Sequence, residues 1–349
     1  MTSYPEWGPK TKATDVAIAF SKQIKGRYVL VTGISRNSLG EATALAIAAQ
    51  GPALLILASR TPSSLDYVAD EIRSVQPATP VATVTVDLLS QASVRAAAAK
   101  ISDLVPRLDV IINNAGVMTR TRRTSPEGIE GQFATNHLGP FLLTNLLAPK
   151  LLAAAAASPS SSSASGPRVV NVSSFGVYIS PVRFHDYNLE GALDDSDIPP
   201  EERGKAPEKL PKAFAANIDG YRGFIAYGQS KSAQVLFAVE LTRRLKESGV
   251  VAVALHPGAI WTNLSRDLDE EGYEAIAGGA KEFKSPDEGA STMIVAAFDP
   301  ALNEPSGSFL SDCQYHEPPP YATDPALAEK LWSLSEELVK QKFDLPPRA

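Results

Sequence analysis

Runs of Val, Ile and Leu recur along the chain, and a segment with helical spacing of its apolar residues follows each of them. Inside the runs the apolar residues are continuous rather than alternating with polar ones, which is typical of strands buried on both faces of a parallel sheet. The predicted strands are Arg27–Thr32, Leu54–Ala58, Val81–Val86, Val110–Asn113, Arg168–Val172 and Val250–Leu255. The pattern therefore predicts an α/β fold with a doubly wound parallel sheet of the Rossmann type.

Segments outside this alternation are interpreted as additions to a single domain that spans residues 1–349. Residues 1–25 form an N-terminal extension with an amphipathic helix at Ala13–Phe20, and a C-terminal helix is predicted over residues 325–343. Both helices are expected to pack on the body of the fold because each has an apolar stripe. Residues 153–166 pass from alanines into a Ser-rich run, which predicts a helix end followed by a flexible loop.

The composition is that of an ordinary globular protein and argues against several functional classes. Hydrophobic residues make up 44% of the chain, which is ample for a core. The formal net charge of −6 gives no reason to expect nucleic acid as a partner. Cys313 is the only cysteine, and no His, Cys and acidic residues have metal-ligand spacing, so neither an internal disulfide nor a metal is expected. A polar N-terminus without a signal sequence, and no apolar run long enough to span a bilayer, predict a cytoplasmic location.

The chemistry-bearing residues begin with Tyr227 and Lys231, which lie four positions apart in a segment with a helical pattern. Residues at this spacing share one face of a helix. A free tyrosine phenol has a pKa of about 10, and a neighbouring ammonium lowers this value by favouring the phenolate. The pair could therefore exchange a proton with a substrate, although the same spacing also occurs by chance on solvated helices.

Four further motifs surround this pair in a fixed order. They are Thr32-Gly-Ile-Ser-Arg-Asn-Ser-Leu-Gly40, Asn113-Asn-Ala-Gly116, Val169-Val-Asn-Val-Ser-Ser174 and His256-Pro-Gly-Ala-Ile-Trp-Thr262. In order and spacing these motifs resemble the short-chain dehydrogenase/reductase family, and the chain is similar to its retinol-dehydrogenase-like and WW-domain-oxidoreductase-like members. The resemblance implies an oxidoreductase that transfers a hydride between a nicotinamide and a carbonyl or alcohol carbon of a small to medium apolar molecule.

The resemblance also assigns the catalytic residues. Tyr227 is the general acid and base, Ser174 polarises the substrate oxygen, and Lys231 binds the nicotinamide ribose while tuning Tyr227. Ser173 is the alternative to Ser174, which is preferred because the family's serine usually aligns with the second of such a pair. Asn136 looks like the family's asparagine that holds a water linking the lysine to solvent, and a buried helix amide is its alternative.

The predicted cofactor site begins at Gly33 and Gly40, where glycine lets the backbone approach a pyrophosphate at the start of a helix. This loop is one residue longer than the family's usual pattern, and Ser38 stands where its middle glycine is expected. Ser38 could donate to a phosphate or cap the helix. The second strand ends at Arg60 without the acidic residue that would bind a ribose 2′-hydroxyl. A guanidinium there, with Arg36 in the loop, favours NADP(H) over NAD(H) unless both are ordinary surface charges.

The remaining cofactor contacts are implied by the resemblance alone. Asp87 and Leu88 would contact the adenine, and the segment from Asn113 to Gly116 would pack against the cofactor. The segment after the last strand would hold the nicotinamide carboxamide and the diphosphate. The full predicted set is Gly33, Ser35, Arg36, Ser38, Leu39, Gly40, Arg60, Asp87, Leu88, Asn114, Ala115, Gly116, Tyr227, Lys231, Pro257, Gly258, Ile260 and Thr262.

Two segments are expected beside the substrate. Residues 180–222 form an insertion before the tyrosine that is longer than in most relatives, and a lid and a solvated decoration account for it equally well. Residues 263–285 correspond to the region that closes over the substrate in relatives. An apolar wall could come from Phe175, Val177, Tyr178, Tyr221 and Trp261, for which core packing is an equal account.

Alternative functions remain open on the sequence. A non-catalytic NADPH-binding sensor or partner-binding protein could use the same fold, although it would have no need of a complete set of Tyr, Lys, Ser and Asn. An epimerase or dehydratase could use the same residues and return the cofactor unconsumed. Relatives are commonly dimers or tetramers, so the sequence is compatible with a homo-oligomer.

Overall fold

The computed structural model describes residues 1–157, 164–191, 212–279, 282–304 and 309–345. Its centre is an eight-stranded sheet with the strand order β3-β2-β1-β4-β5-β6-β7-β8. All pairs are parallel except β7 with β8. The strands are β1 (Tyr28–Thr32), β2 (Leu54–Ser59), β3 (Val81–Thr85), β4 (Val110–Asn113), β5 (Arg168–Val172), β6 (Val251–His256), β7 (Phe309–Ser311) and β8 (Gln314–Tyr315). The predicted doubly wound fold is confirmed.

Helices cover both faces of the sheet, because its strands carry apolar residues on both sides. Leu30 and Ile111 belong to the core beneath α5, α7, α9 and α12, whereas Val29 and Val31 belong to the core beneath α1, α3, α4 and α11. The helices are α1 (Ala13–Ala19), α2 (Ser21–Ile24), α3 (Leu39–Ala48), α4 (Pro62–Val75), α5 (Gln91–Leu104), α6 (Gly131–Phe133), α7 (Gly139–Ala157), α8 (Lys212–Ala215), α9 (Gly223–Leu245), α10 (Glu270–Gly279), α11 (Pro286–Phe298) and α12 (Pro325–Leu338).

Both ends of the chain pack on the body of the fold, as expected from their apolar stripes. Helix α1 lies on α11 and α3, and α12 lies on α9. Trp332 of α12 is buried edge-on against Phe141 of α7. The C-terminal helix ends at Leu338 rather than at residue 343, because Lys340 takes a left-handed φ of 54°, which stops a helix.

Two predicted segments fall partly outside the described residues. These are 158–163 of the Ser-rich loop and 192–211 of the insertion. The described end of the insertion contains α8 and an isolated bridge between Ile218 and Tyr221. The insertion therefore rejoins the body of the fold directly before α9, the helix that carries Tyr227.

The helical stretch from Gly131 to Ala157 is long and apolar enough to cross a membrane by length and composition. It consists of α6, a π-helical turn at Ala134–Leu138, and α7. Of its most apolar 18 residues, 56% are buried inside the fold, and core helices of soluble proteins can have the same length and composition. Helix α7 packs on α5, so its apolar residues already have partners within the chain.

Candidate active site

A cavity of about 550 Å³ lies at the carboxyl ends of the parallel strands, where the loops after β1 to β6 meet. This is the edge at which doubly wound folds bind ligands. Nearly all predicted site residues line it. They are Gly33, Ser35, Ser38, Leu39, Arg60, Asp87, Leu88, Asn114, Ala115, Gly116, Ser174, Tyr227, Lys231, Pro257, Gly258, Ile260 and Thr262. Gly40, Arg36 and Asn136 are not in the wall of the cavity.

The glycine loop after β1 is packed too tightly for any side chain at its two glycines. Gly33 has a φ of +79°, and a Cβ there would lie 2.6 Å from Cα of Ala115. A Cβ at Gly40 would lie 2.5 Å from the carbonyl oxygen of Gly33. Asn114 fastens the loop by donating from Nδ2 to the carbonyl of Thr32 at 2.8 Å. The loop after β1 and the loop after β4 thus form one backbone surface against the cavity.

Ser38 caps α3. Its Oγ accepts a hydrogen bond from the N–H of Glu41 at 3.2 Å and from that of Ser35 at 3.4 Å. The capping role is therefore present, and Ser38 also faces the cavity. The first turn of α3 begins at Leu39 beside it, and the free N–H groups of a helix N-terminus favour anions.

The far end of the cavity is lined by Arg60 together with Thr61 and Ser64 at the start of α4. Arg36 takes a different position, since its guanidinium lies over the ring of Tyr67 at 4.9 Å. The two hydroxyl residues escaped the sequence analysis, although a Ser/Thr-rich stretch directly after a strand was a usable signal. The sequence analysis also missed Arg266, which lines the cavity and adds a second guanidinium to its wall.

Tyr227 and Lys231 lie on one face of α9, and both are buried. Ser174 caps a short 3₁₀ turn, with its Oγ accepting from the N–H of Gly176 at 3.1 Å, and it hydrogen bonds with the Tyr227 side chain. Ser173 uses its hydroxyl differently, because it donates to the carbonyl of Lys231 at 2.8 Å. The geometry therefore favours Ser174 over Ser173 as the hydroxyl that meets a substrate.

Gly176 makes this approach possible, and the sequence analysis missed it. A Cβ at this position would lie 2.9 Å from Cε1 of Tyr227 and 3.4 Å from Cγ of Lys231. Only glycine lets the 3₁₀ turn that begins with Phe175 lie flat against α9.

Lys231 and Asn136 meet around Gly116. The ammonium of Lys231 donates to the carbonyl of Val172 and to Oε1 of Gln234, both at 3.0 Å. Asn136, in the π-helical turn, donates to the carbonyl of Val117 and accepts from its N–H. A Cβ at Gly116 would lie 3.4 Å from both Lys231 Nζ and Asn136 Oδ1. All four predicted catalytic side chains therefore gather in one place, although Asn136 is fully buried behind the wall.

Burial controls the ionisation of this group. It raises the pKa of Tyr227 to about 12, with the Ser174 hydrogen bond acting in the opposite direction. It also lowers the pKa of Lys231 to about 7. The expected lowering of the Tyr227 pKa by Lys231 is not found in the chain alone, because removing the phenolate from water costs more than its neighbours return. Tyr227 is accordingly a protonated phenol at neutral pH.

An apolar cluster packs around Tyr227. Its buried members are Met118, Phe214 of α8 and Phe224 of α9. The segment of residues 263–285 supplies further members from a 3₁₀ turn and from α10, namely Leu264, Leu268, Ala275 and Ile276. This segment therefore covers Tyr227, and the described end of the insertion joins it there.

Ion pairs hold α10 in this position. The guanidinium of Arg120, only 4% exposed, contacts Asp269 at 2.6 Å and Glu271 at 2.8 Å. Trp261 stacks on Tyr273 of α10, with ring centroids 4.4 Å apart.

None of the five residues considered for an apolar wall lines the cavity. Tyr221 instead donates to the buried carboxylate of Glu130 at 2.6 Å, a structural contact that ties the end of the insertion to α6. Val177 lies in the main core. Phe175 stacks on His256 at 4.0 Å and remains 45% exposed.

The histidines have structural partners. Nδ1 of His256 accepts from the N–H of Phe175 at 3.2 Å, and Nε2 of His137 lies 2.7 Å from Oγ of Ser335 on α12. Burial lowers the pKa of each imidazole to about 3, so both are neutral. No group of three His, Cys, Asp or Glu side chains in the described part of the chain could hold a metal ion.

Comparison with known proteins agrees with this geometry. Residues 27–187 match the family model for short chain dehydrogenases. The chain is 35% identical to human retinol dehydrogenase 13 over 95% of its own length and 89% of that protein. A crystal structure of a Mycobacterium paratuberculosis protein aligns with a TM-score of 0.63 at 29% identity, over 93% of this chain and 97% of that one. A short-chain dehydrogenase from Sphingobium yanoikuyae in complex with NADPH aligns with a TM-score of 0.54 at 22% identity, covering 77% and 83% of the two chains. The chain belongs to the short-chain dehydrogenase/reductase family and is similar within it to the retinol dehydrogenases.

Proposed function

We propose that this chain is an NADP(H)-dependent oxidoreductase that interconverts a carbonyl and an alcohol in an apolar substrate, with Tyr227 as the general acid and base. The observation that carries the proposal is the meeting of Tyr227, Lys231 and Ser174 at one end of a cavity whose other end is lined by the glycine loop and Arg60. The candidate proton donor and the groups suited to binding phosphate therefore line one cavity.

The cleft suits a dinucleotide for reasons internal to the chain. The glycine loop exposes backbone where Gly33 and Gly40 leave no room for side chains, and the N-terminus of α3 opens beside it. A bound nicotinamide would supply or take the hydride. Lys231 would bind its ribose with the N–H that Val172 and Gln234 leave free.

The protein's own part in the reaction is the proton. Carbonyl reduction leaves an alkoxide, and the buried Tyr227 phenol is protonated at neutral pH and so ready to donate. The Ser174 hydroxyl would stabilise the developing negative charge on the same oxygen, beside the apolar cluster that contains Met118 and Phe224. In the oxidative direction the phenolate must form first, and a positive charge brought in with the oxidised cofactor would favour it.

The choice of NADP(H) rests on the charge at the far end of the cavity. Arg60 lines it with Thr61 and Ser64, and the residue directly after β2 is this arginine rather than a carboxylate. A guanidinium and two hydroxyls suit a 2′-phosphate, which a carboxylate would repel. A cytoplasmic location belongs to the same proposal, since a chain with a single cysteine needs no oxidising compartment, and fractionation of cells tests it.

The replacement Tyr227→Phe tests the proposed chemistry. It removes the proton donor and keeps the ring, so we expect NADPH oxidation against a panel of aldehydes and ketones to fall by about 10² to 10⁴. NADPH binding, followed by nucleotide fluorescence, should be unchanged. The matched control is Tyr28→Phe, since Tyr28 is the first residue of β1 and lies at the amino end of the parallel strands, opposite the cavity. Full turnover in Tyr227→Phe would refute the assignment. NADPH that binds to the wild-type protein but is never consumed would favour a sensor or an epimerase.

The replacement Arg60→Glu tests the cofactor. A carboxylate in place of the guanidinium should reverse the preference between NADPH and NADH, with a change of roughly 100-fold or more in the ratio of kcat/KM values. Arg73→Glu is the control, because Arg73 is exposed on α4, where it pairs with Asp70 at 2.8 Å outside the cavity wall. A wild-type protein that uses both cofactors equally would contradict the role of Arg60.

A further inference from the structure

The loop after β6 forms the side of the cavity through Pro257, Gly258 and Ile260, and it is held from behind by the residues that precede α11. The N–H of Lys284 donates to the carbonyl of Ala259 at 2.8 Å. The alkyl chain of Lys284 covers the α-carbon of Gly258, since a Cβ there would lie 2.8 Å from Cδ of the lysine. The position of this part of the cavity wall therefore depends on where the Lys284 side chain lies.

Asp312 determines that position. The Lys284 ammonium pairs with the Asp312 carboxylate, and the lysine side chain is only 9% exposed whereas that of the aspartate is 44% exposed. An exposed ion pair contributes little to stability, but an ammonium with so little access to water needs its partner. Without Asp312, Lys284 could recover hydration only by leaving Gly258.

Asp312 itself stands in a turn that resists change. Asp312 and Cys313 form the two-residue connection between β7 and β8, and both have positive φ, at 50° and 65°. Turns of this type favour glycine at the second position, so a cysteine there is strained. It stays because its N–H donates to Thr292 Oγ1 at 3.0 Å and its buried thiol faces Ser291, both on α11. Lys284 directly precedes the Ser285 cap of the same helix, so α11 fixes both partners.

We propose that Lys284 and Asp312 are positioning residues for the nicotinamide end of the cofactor site, which they hold in shape through the loop of Pro257 to Ile260 without lining the cavity themselves. The inference rests on the proposed NADP(H) binding and deepens it. The two residues should affect only the nicotinamide end, because the adenosine end at Arg60 is built by β2 and α4 and does not include Lys284 or Asp312.

The test compares two ligands in the full chain. In Lys284→Met, which keeps most of the alkyl chain and loses the charge, the side chain over Gly258 is no longer tied to Asp312. NADPH should then bind about tenfold more weakly by fluorescence titration, which corresponds to about 1.4 kcal/mol. Binding of 2′,5′-ADP, which lacks the nicotinamide end, should stay within about twofold in calorimetry, because the Arg60 end is untouched. Lys284→Arg should restore NADPH affinity.

The controls make each outcome decisive. Lys246→Met breaks an exposed ion pair with Glu304 at 2.8 Å and should change neither ligand. If Lys284→Met fails to fold, Asp312→Asn at the half-exposed partner should show the same selective loss. Equal weakening of both ligands, or no weakening of either, would overturn the positioning role alone. A wild-type chain that binds neither ligand would overturn the proposed function as well.

Discussion

The two halves of the site are built in different ways. The cofactor half, made of the glycine loop and Asn114–Gly116, consists of backbone packed on backbone, with contacts at Gly33 and Gly40 that admit no Cβ. The substrate half, made of the apolar cluster around Tyr227 and α10, consists of side chains from distant parts of the chain. Helix α10 covers this half, and its carboxylates Asp269 and Glu271, which are 50% and 64% exposed, pair with Arg120.

This difference teaches where the site is rigid and where it can change. Backbone surfaces packed at van der Waals contact tolerate almost no substitution, because any added atom must displace main chain. Side-chain clusters under an ion-paired cover can exchange volume and still close. The cofactor half should therefore tolerate few substitutions, whereas the substrate half should tolerate many.

The largest expected effect is at Gly33. In Gly33→Ala the new Cβ would lie 2.6 Å from Ala115 Cα at a φ of +79°, so steric overlap and backbone strain act together. We expect NADPH affinity to fall by about 100-fold or more, which corresponds to a loss of about 2.8 kcal/mol in binding free energy. Fluorescence titration measures the loss. Wild-type affinity would show that the glycine loop is less rigid than its packing indicates.

The next effect concerns Lys231, which lies between the two halves. Its pKa of about 7 means that the ammonium is present below this pH and is lost above it. If the ammonium is required, kcat/KM for NADPH in the reductive direction should fall about tenfold per pH unit above 7, because this ratio reports ionisation in the free enzyme. Lys231→Arg keeps a charge at all these pH values and should remove the alkaline limb even if its rate is lower. An unchanged limb in that variant would assign the pH dependence to another group.

A smaller effect is expected at Arg120, confined to the substrate half. Arg120→Met removes both ion pairs of α10, and because the partners are half exposed we expect a loss of only about 1 kcal/mol, or roughly fivefold in the KM of the carbonyl substrate. NADPH affinity should be unchanged. Arg73→Met is the control, since Arg73 is exposed on α4 and pairs with Asp70 at 2.8 Å, outside the substrate half. A parallel loss of NADPH affinity would show that the two halves are coupled.

The smallest effect is expected at Gly278, and it completes the comparison with Gly33. Gly278 is in the last turn of α10, and outside that helix no atom of the described residues lies within 4 Å of a Cβ placed there. The same change, Gly278→Ala, should leave NADPH affinity unaltered and raise the free energy of unfolding by about 0.5 kcal/mol through helix propensity. Thermal unfolding measures this gain. A strong loss instead would mean that α10 needs the freedom of glycine in order to close.

The cofactor half was accessible to sequence reasoning for a physical reason. Gly33, Gly40 and the run from Asn113 to Gly116 act through local backbone geometry next to a strand, and such geometry requires particular residue types at short, fixed spacing. The strands were found for a similar reason, since their apolar runs are continuous. β7 and β8 were missed because three and two residues give no periodicity.

The substrate half was only partly accessible. The polar segment of residues 263–285 could be expected near the substrate, but nothing in its spacing indicated that Asp269 and Glu271 meet Arg120, or that Phe214 and Phe224 meet Tyr227. Tyr221 was a candidate for the pocket wall with core packing as an equal account, and the structure shows it bound to buried Glu130. Contacts of this kind depend on how separate elements dock.

The sequence by itself determined the class of fold and the ordered set of candidate catalytic residues, because both depend on residue type at short range. The tertiary structure alone decided the ionisation of Tyr227 and Lys231, since burial rather than spacing moves their pKa values to about 12 and about 7. It also decided the pairing of Lys284 with Asp312, 28 positions apart, through the common support of α11. Desolvation and docking are properties of the packed chain, and no local pattern encodes them.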